Sequence, residues 1–393
     1  MNNRNGVAAT SASVVHAAPT ARASSPVHIA VFGDGWRTRF FCRVAAAIPD
    51  QLSVDLVIGH HDDKLDRISR EYGVRVTKDA SELSAYKAQL DYVCAVVSWP
   101  ATPGLIEQLL DDGYKVYTET PPAPDMDGLR QLWNAVGDRA ADVQVGEQYY
   151  RMPGHAARLA VLRSGILGDV TSVHVASTHL YHAVALMRDY MGVGLAPATV
   201  TARSFDTHMM NPMQFDGWVK NPQIEKLPTM IGTLDFGDGR YGLYDFVDNQ
   251  WWNPLLSRRI VARGTLGEIV DDTVVRWSEG QSAGSLDQDA AAPITSQIEY
   301  RRSGRDMNLE GNDVLTASFD GRIVYRNPFV GSRLSEDDLA VADHLVAMGL
   351  YVRGEGPEIY SLADGIHDHA LSLAMEESVR TGKDIRLADE PWM

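Results

Sequence analysis

The chain has 393 residues, 45% hydrophobic and 22% charged, a composition that excludes a disordered polymer, a collagen-like fibre and a small disulfide-stapled domain. Its 36 Lys and Arg against 52 Asp and Glu leave a net charge of −16, which repels phosphate backbones and argues against nucleic acid as a partner. No apolar run approaches the roughly 20 residues that span a bilayer, so no membrane insertion is expected, and the length favours two domains with separate cores.

In chain order, residues 1–25 are rich in Ala, Ser, Thr and Asn and lack a long apolar centre, which reads as a disordered leader. From Val27 to Phe32 a β-rich run ends in Gly33-Asp34-Gly35 and gives way to a helical stretch through Ala47. Strand, tight glycine turn and helix suit a dinucleotide. Glycine lets the backbone approach a pyrophosphate, and the helix start offers unpaired N–H groups. The third glycine of G-x-G-x-x-G is Thr38 here, so the surrounding pattern has to support the motif.

That pattern is a βα alternation. Strands are expected over Leu52 to Ile58, Val74 to Val76, Tyr92 to Val97 and Lys115 to Tyr117, with helices over Asp62 to Tyr72, Ser81 to Gln89 and Pro103 to Asp112. Such a rhythm predicts a parallel, doubly wound sheet with ligands beyond the carboxyl ends of its strands. Gly33, Gly35, Trp36, Arg37, His60, Ser98, Trp99, Glu119 and Thr120 are therefore the candidate cofactor-binding residues. The acid that normally ends the second strand and grips the adenosine ribose is absent from Gly59-His60-His61-Asp62. A histidine tolerates a 2′-phosphate while Asp62 could reach a ribose hydroxyl, so both NAD and NADP stay open. Cys42 and Cys94 lie in apolar stretches without metal-site or disulfide spacing, consistent with reduced thiols and a cytoplasmic protein.

Several motifs in order carry a resemblance. The segments Gly113-Tyr114-Lys115-Val116-Tyr117-Thr118-Glu119-Thr120-Pro121, Val145 to Pro153, Leu162 to Val170, His182 to Gly192, Arg263 to Glu268, and Ala363-Asp364 through Ser378 to Lys383 resemble the Gfo/Idh/MocA family of glucose–fructose oxidoreductase, inositol dehydrogenase and MocA-type proteins. The likeness runs from Pro26 to about Lys383. It implies an α/β fold: an N-terminal Rossmann domain over 26–148, then a C-terminal α/β domain over 149–393 with a large open, mostly antiparallel sheet. One face of that sheet would cover the cofactor and the other would serve assembly into a dimer or tetramer. Longer alternating runs past Tyr149, such as Val170 to Ser177, Thr229 to Phe236, Tyr241 to Asp245 and Ser257 to Arg263, agree with it. The acidic stretch from Asp271 to Ala292 reads as a surface excursion.

Two departures stand out. The family's lysine after glutamate is Thr120 here, and the aspartate expected four residues before the catalytic histidine is Thr178. Threonine donates a hydrogen bond but supplies no charge. The resemblance makes His182 the candidate base for a hydroxyl proton, since an imidazole with a pKa near ~6.5 suits that task. Glu119 falls where the family's glutamate approaches the nicotinamide end. Tyr181, Tyr149 and Glu147 are further catalytic candidates, Glu147 being equally readable as a buried strut. Arg151, Thr178, Trp251 and Trp252 are candidate substrate-binding residues, the tryptophans as stacking faces for a sugar ring, and Arg188 is a possible anion partner. His174, His179 and His182 could look like a metal cluster, but no cysteine joins them, their spacing fits either periodicity and the resembling family's chemistry needs no metal, so none is expected.

The leading expectation is an NAD(P)-dependent oxidoreductase acting on a hydroxyl of a sugar, cyclitol or glycoside. Loss of the lysine and aspartate leaves two alternatives open, a redox-assisted glycosidase or lyase with internally recycled NAD and a catalytically idle binding or scaffold protein.

Overall fold

A computed structural model describes residues 22–214, 217–278, 292–305 and 308–393. Residues 1–21 of the expected leader, and 279–291 of the expected surface excursion, lie outside them. The first domain runs β1 (Val27–Phe32), α1 (Trp36–Ala47), β2 (Leu52–Ile58), α2 (Asp62–Tyr72), β3 (Val76–Thr77) and a short α3 (Leu83–Tyr86). It continues through β4 (Tyr92–Ala95), α4 (Thr102–Asp111), β5 (Val116–Thr118), α5 (Met126–Val136) and β6 (Val143–Val145). All six strands pair in parallel, in the order β3-β2-β1-β4-β5-β6. The chain winds outward from β1 in both directions, so the crevice between the β1 and β4 ends is the switch point where such sheets take ligands. Helices cover both faces, which is why Val27, Ile29, Ala30 and Val31 are all apolar and fully buried.

The second domain opens with a 3-10 turn at Tyr149–Arg151, followed by α6 (Pro153–Arg163), β7 (Val170–Ala176), α7 (Leu180–Met191) and β8 (Ala198–Met210). Next come β9 (Met213–Gln214), β10 (Gly217–Trp218), β11 (Ile224–Gly237), β12 (Arg240–Val247), β13 (Arg259–Gly264), β14 (Gly267–Val270), β15 (Thr273–Ser278) and β16 (Ala292–Gln297). The chain ends with β17 (Glu299–Arg305), β18 (Asn308–Phe319), β19 (Arg322–Arg326), α8 (Glu336–Val352), α9 (Leu362–Thr381) and β20 (Ile385–Leu387). Among the described residues, nine strands form one sheet in the order β16-β15-β14-β13-β7-β12-β11-β8-β20, antiparallel throughout except where β12 runs parallel to β7. Helix α7 lies on its inner face, and Gly242 of β12 permits the approach, because a Cβ there would stand 2.5 Å from Met187 Sδ. The outer face keeps Ile231 and Tyr241 exposed.

Helix α8 returns to the first domain's sheet. Its Ala342, Leu345 and Val346 share one buried cluster with Val27, Ile29 and Val31. Tyr92 donates to the Leu345 carbonyl at 2.7 Å, and Gly349 runs so close to β1 that a Cβ would collide with Val27. Residues 336–352 therefore cover the first sheet, although the sequence reading assigned them to the second domain.

Candidate active site

The ends of β1, β2, β4 and β5 open onto one groove of about 820 Å³, within the ~300–1,000 Å³ range of small-molecule and cofactor sites. Gly33, Gly35, Trp36 and Arg37 line it from the first turn, and His60 from the second. Ser98 and Trp99 line it from the β4–α4 loop, and Glu119 and Thr120 from the end of β5. Gly33 has φ +130°, and a side chain there would strike the Val96 carbonyl. Gly35 caps α1 without any side-chain bond, leaving the helix's first N–H groups to the groove. Glu119 is buried, its Oε1 without a partner among the described residues, while its other oxygen meets Arg37 Nε at 2.9 Å. A glycine cradle, free helix-end donors and a carboxylate with spare acceptor capacity fit a bound dinucleotide.

At the tip of β2 the structure departs from the sequence reading. Asp62 is exposed, pairs with Lys78 at 3.1 Å and does not line the groove. The carboxylate that does line it is Asp34, from between the two glycines. Its Oδ2 accepts the backbone N–H groups of His60 at 2.7 Å and His61 at 2.9 Å. Burial pushes this carboxyl up, but those N–H bonds and the neighbouring His61 ring outweigh burial and hold it well below the usual range. Sequence reasoning passed over Asp34, along with Lys64 and Lys78 on the same wall. The signal was present: an acid inside the glycine turn and a glycine where the acid belongs.

His182 sits in the first turn of α7 and is buried, with Nδ1 at 2.5 Å from Glu147 Oε2. Glu147 leaves β6 just before the 3-10 turn, and its other oxygen accepts the Tyr149 N–H at 3.1 Å. Burial drives both partners toward neutral forms. It raises the Glu147 carboxyl to about 8, and it lowers the His182 imidazole to about 3 with help from the Arg37 charge. Such a pair exchanges protons as a unit. Among the described residues nothing hydrogen-bonds His182 Nε2. Tyr149 and Tyr181 flank the imidazole, each with ring centroids 4.5 Å away. Thr120 stands beside the Tyr181 hydroxyl and Thr178 beside the Tyr149 hydroxyl. Ring contacts lead from Trp99 in the groove through His369 and Tyr181 to His182.

On the other side, Trp251 stacks on His179 at 4.8 Å and 22°, with Trp252 beside it. Gln250 fixes that loop beyond β7 by donating to the carbonyls of Ala176 at 2.7 Å and Ser257 at 2.9 Å. Among the described residues, buried Ser177 Oγ, His179 Nδ1 and Trp252 Nε1 have no hydrogen-bond partner. Tyr149 and Ser177 also line a second cavity of about 230 Å³ with His155, Arg158, Asp272 and Tyr300.

Two arginines proposed for the substrate are elsewhere. Arg151 lines neither cavity; it donates to Asp343 at 2.7 Å and to the Tyr150 hydroxyl at 2.8 Å, tying the 3-10 turn to α8. Arg188 ties α7 to α9 through Asp364 at 2.7 Å and Asp368. Both are buried charges that found internal carboxylates. Among the described residues no cluster of His, Cys, Asp and Glu could hold a metal ion, and no helix is long and apolar enough to cross a membrane. Cys42 and Cys94 are free and buried, with burial raising the Cys42 thiol to about 12.

Residues 27–147 match the model of an oxidoreductase family with an NAD-binding Rossmann fold, GFO_IDH_MocA. No curated protein sequence matches the chain. Among solved structures, a myo-inositol dehydrogenase from Corynebacterium glutamicum is similar at TM-score 0.62 and 18% identity, over 93% of this chain and 99% of that one. An oxidoreductase from Agrobacterium radiobacter, in complex with NAD+, L-tartaric acid and magnesium, is similar at TM-score 0.62 and 17% identity, over 92% and 98%. A levoglucosan dehydrogenase, in complex with NADH and levoglucosan, is similar at TM-score 0.61 and 15% identity, over 93% and 100%. At these identities the likeness establishes the fold.

Proposed function

We propose that this chain, whose residues 27–147 match the NAD-binding Gfo/Idh/MocA oxidoreductase family, oxidises a hydroxyl-bearing carbon of a sugar, cyclitol or glycoside. The observation that carries this reading is the buried His182–Glu147 pair, linked by ring contacts to Trp99 in the groove. A dinucleotide held by Gly33, Gly35, Ser98, Trp99 and Glu119 would supply the hydride acceptor. The chain's part is to hold the alcohol and remove its proton. With one proton between them, His182 and Glu147 share a single negative charge and Nε2 is a base. Taking the hydroxyl proton leaves the pair neutral, the form that its burial favours.

The missing family groups have stand-ins nearby. Glu147 gives His182 the carboxylate partner that Thr178 cannot, and Arg37 brings positive charge to the site where lysine is replaced by Thr120. Ser177, His179 and Trp252 offer unused buried polar atoms, and Arg158, Asp272 and Tyr300 offer further donors and acceptors in the adjoining cavity. Such a mixture suits a neutral, hydroxyl-rich ligand, with Trp251 as a stacking face. We also infer a cytoplasmic homo-oligomer, dimer or tetramer, joined through the outer face that presents Ile231 and Tyr241.

The test is substrate-dependent reduction of added dinucleotide across a panel of cyclitols, sugars and glycosides, followed by absorbance of the reduced nicotinamide. Turnover with a polyol and loss of it in H182N support the reading. Bond cleavage without net reduction, or no turnover despite bound nucleotide, overturns it.

A further inference from the structure

We propose that the chain is built for NAD and against NADP, with Asp34 as the specificity-determining residue at the adenosine ribose. The inference rests on the oxidoreductase reading above and names the cofactor that the glycine motif left open.

In a sheet of this topology the adenosine ribose lies against the tip of β2. There the backbone N–H groups of His60 and His61, at the start of α2, converge on one spot that would hold an anion such as a 2′-phosphate. In this chain the spot is filled from within, by Asp34 Oδ2 at 2.7 and 2.9 Å. The strand itself makes room: a Cβ on Gly59 would stand 2.8 Å from both Asp34 Cβ and Oδ2. An acid at position 59 and one at position 34 therefore exclude each other. The carboxylate has been moved from the strand end to the glycine turn while keeping its place in the groove.

That carboxylate retains acceptor capacity toward a ribose. Its Oδ1 has only the longer contacts to Lys64 Nζ at 3.4 Å and His61 Nδ1 at 3.1 Å, and a carboxylate accepts about four hydrogen bonds. A ribose 2′-hydroxyl can donate to it, whereas a 2′-phosphate would meet a like charge where its donors should be. The cations on this wall do not reverse the preference, because Lys64 faces Asp34 and Lys78 is paired with Asp62.

The test is equilibrium binding of NAD+ and NADP+ to the full-length protein, by calorimetry or by quenching of Trp36 and Trp99, for wild type, D34N, D34G and D34G/G59D. Wild type should bind NAD+ at least tenfold more tightly than NADP+. D34N should lose roughly tenfold in NAD+ affinity. D34G, with the N–H pair vacated beside Lys64, should turn to NADP+, and D34G/G59D should turn back. Thermal melts separate binding effects from unfolding, and if D34G does not fold, an unchanged preference in the near-isosteric D34N overturns the proposal. Equal binding, or NADP+ preference in wild type, overturns this assignment alone. Binding of neither dinucleotide overturns it together with the oxidoreductase reading.

Discussion

Helix α7 carries a buried ionisable cluster at each end, and the two are completed to different degrees. At its C-terminal end Arg188 donates to the Gly194 carbonyl at 2.8 Å, the Asp364 carbonyl at 3.2 Å, the Asp364 carboxylate at 2.7 Å and Asp368, and Tyr360 also donates to Asp368. At its N-terminal end His182 has Glu147 on one nitrogen and, among the described residues, no hydrogen-bond partner on the other, beside Ser177 Oγ and His179 Nδ1, which likewise have none there. Burial costs both clusters, but in the first the arginine makes four hydrogen bonds and both carboxylates are engaged inside the protein. A well-satisfied network holds helices together. A less satisfied one, joined to the groove through Tyr181, His369 and Trp99, is where a ligand can supply what is missing.

Substitution at the two ends should separate those roles. H182N is expected to lower kcat/KM by about 10²–10⁴-fold, the worth of a positioned base, with a nearly unchanged melting temperature. R188M leaves Asp364 and Asp368 without their cation and should cost about 3–5 kcal/mol of stability, read by denaturant unfolding. If H182N unfolds the protein as readily as R188M, the two ends do not differ and the comparison breaks.

A smaller effect probes the charge beside the pair. R37M should lower kcat by about tenfold, a loss of roughly one pKa unit of electrostatic help, and adding T120K should return part of it. A T120K change that helps nothing would remove Arg37 from the role of lysine surrogate. Smaller still, W251A should raise KM about three- to tenfold through the lost stacking face, worth ~0.5–1.5 kcal/mol, with kcat little changed. An unaltered KM would move the substrate away from this loop.

Much of the architecture was legible because it rests on period. The first domain's strands and helices follow from hydrophobic alternation and from glycine at the turn after Phe32. What stayed hidden depends on partners distant in sequence. The return of α8 to β1 cannot be read from its own amphipathicity, since α8 is apolar over most of its surface. Arg151 and Arg188 look like ligand-binding arginines until Asp343, Asp364 and Asp368 are seen to stand opposite them. Asp34 acquires its meaning from Gly59, a residue defined by what it lacks. His182 and Glu147 were each singled out, His182 by its place in a resembling motif, but their pairing joins residues far apart in the chain and only the fold supplies it.

The most direct measurement of the central claim is the pH dependence of hydride transfer from substrate to nicotinamide, followed in a single turnover for wild type and E147Q. The base form of the His182–Glu147 pair is the one with a single shared proton, and burial pushes the loss of the second up to about 8. The rate should therefore climb about tenfold per pH unit below that point and level off above it, and E147Q should abolish the inflection. A wild-type rate that stays flat across this range, or an inflection that survives in E147Q, would contradict the account.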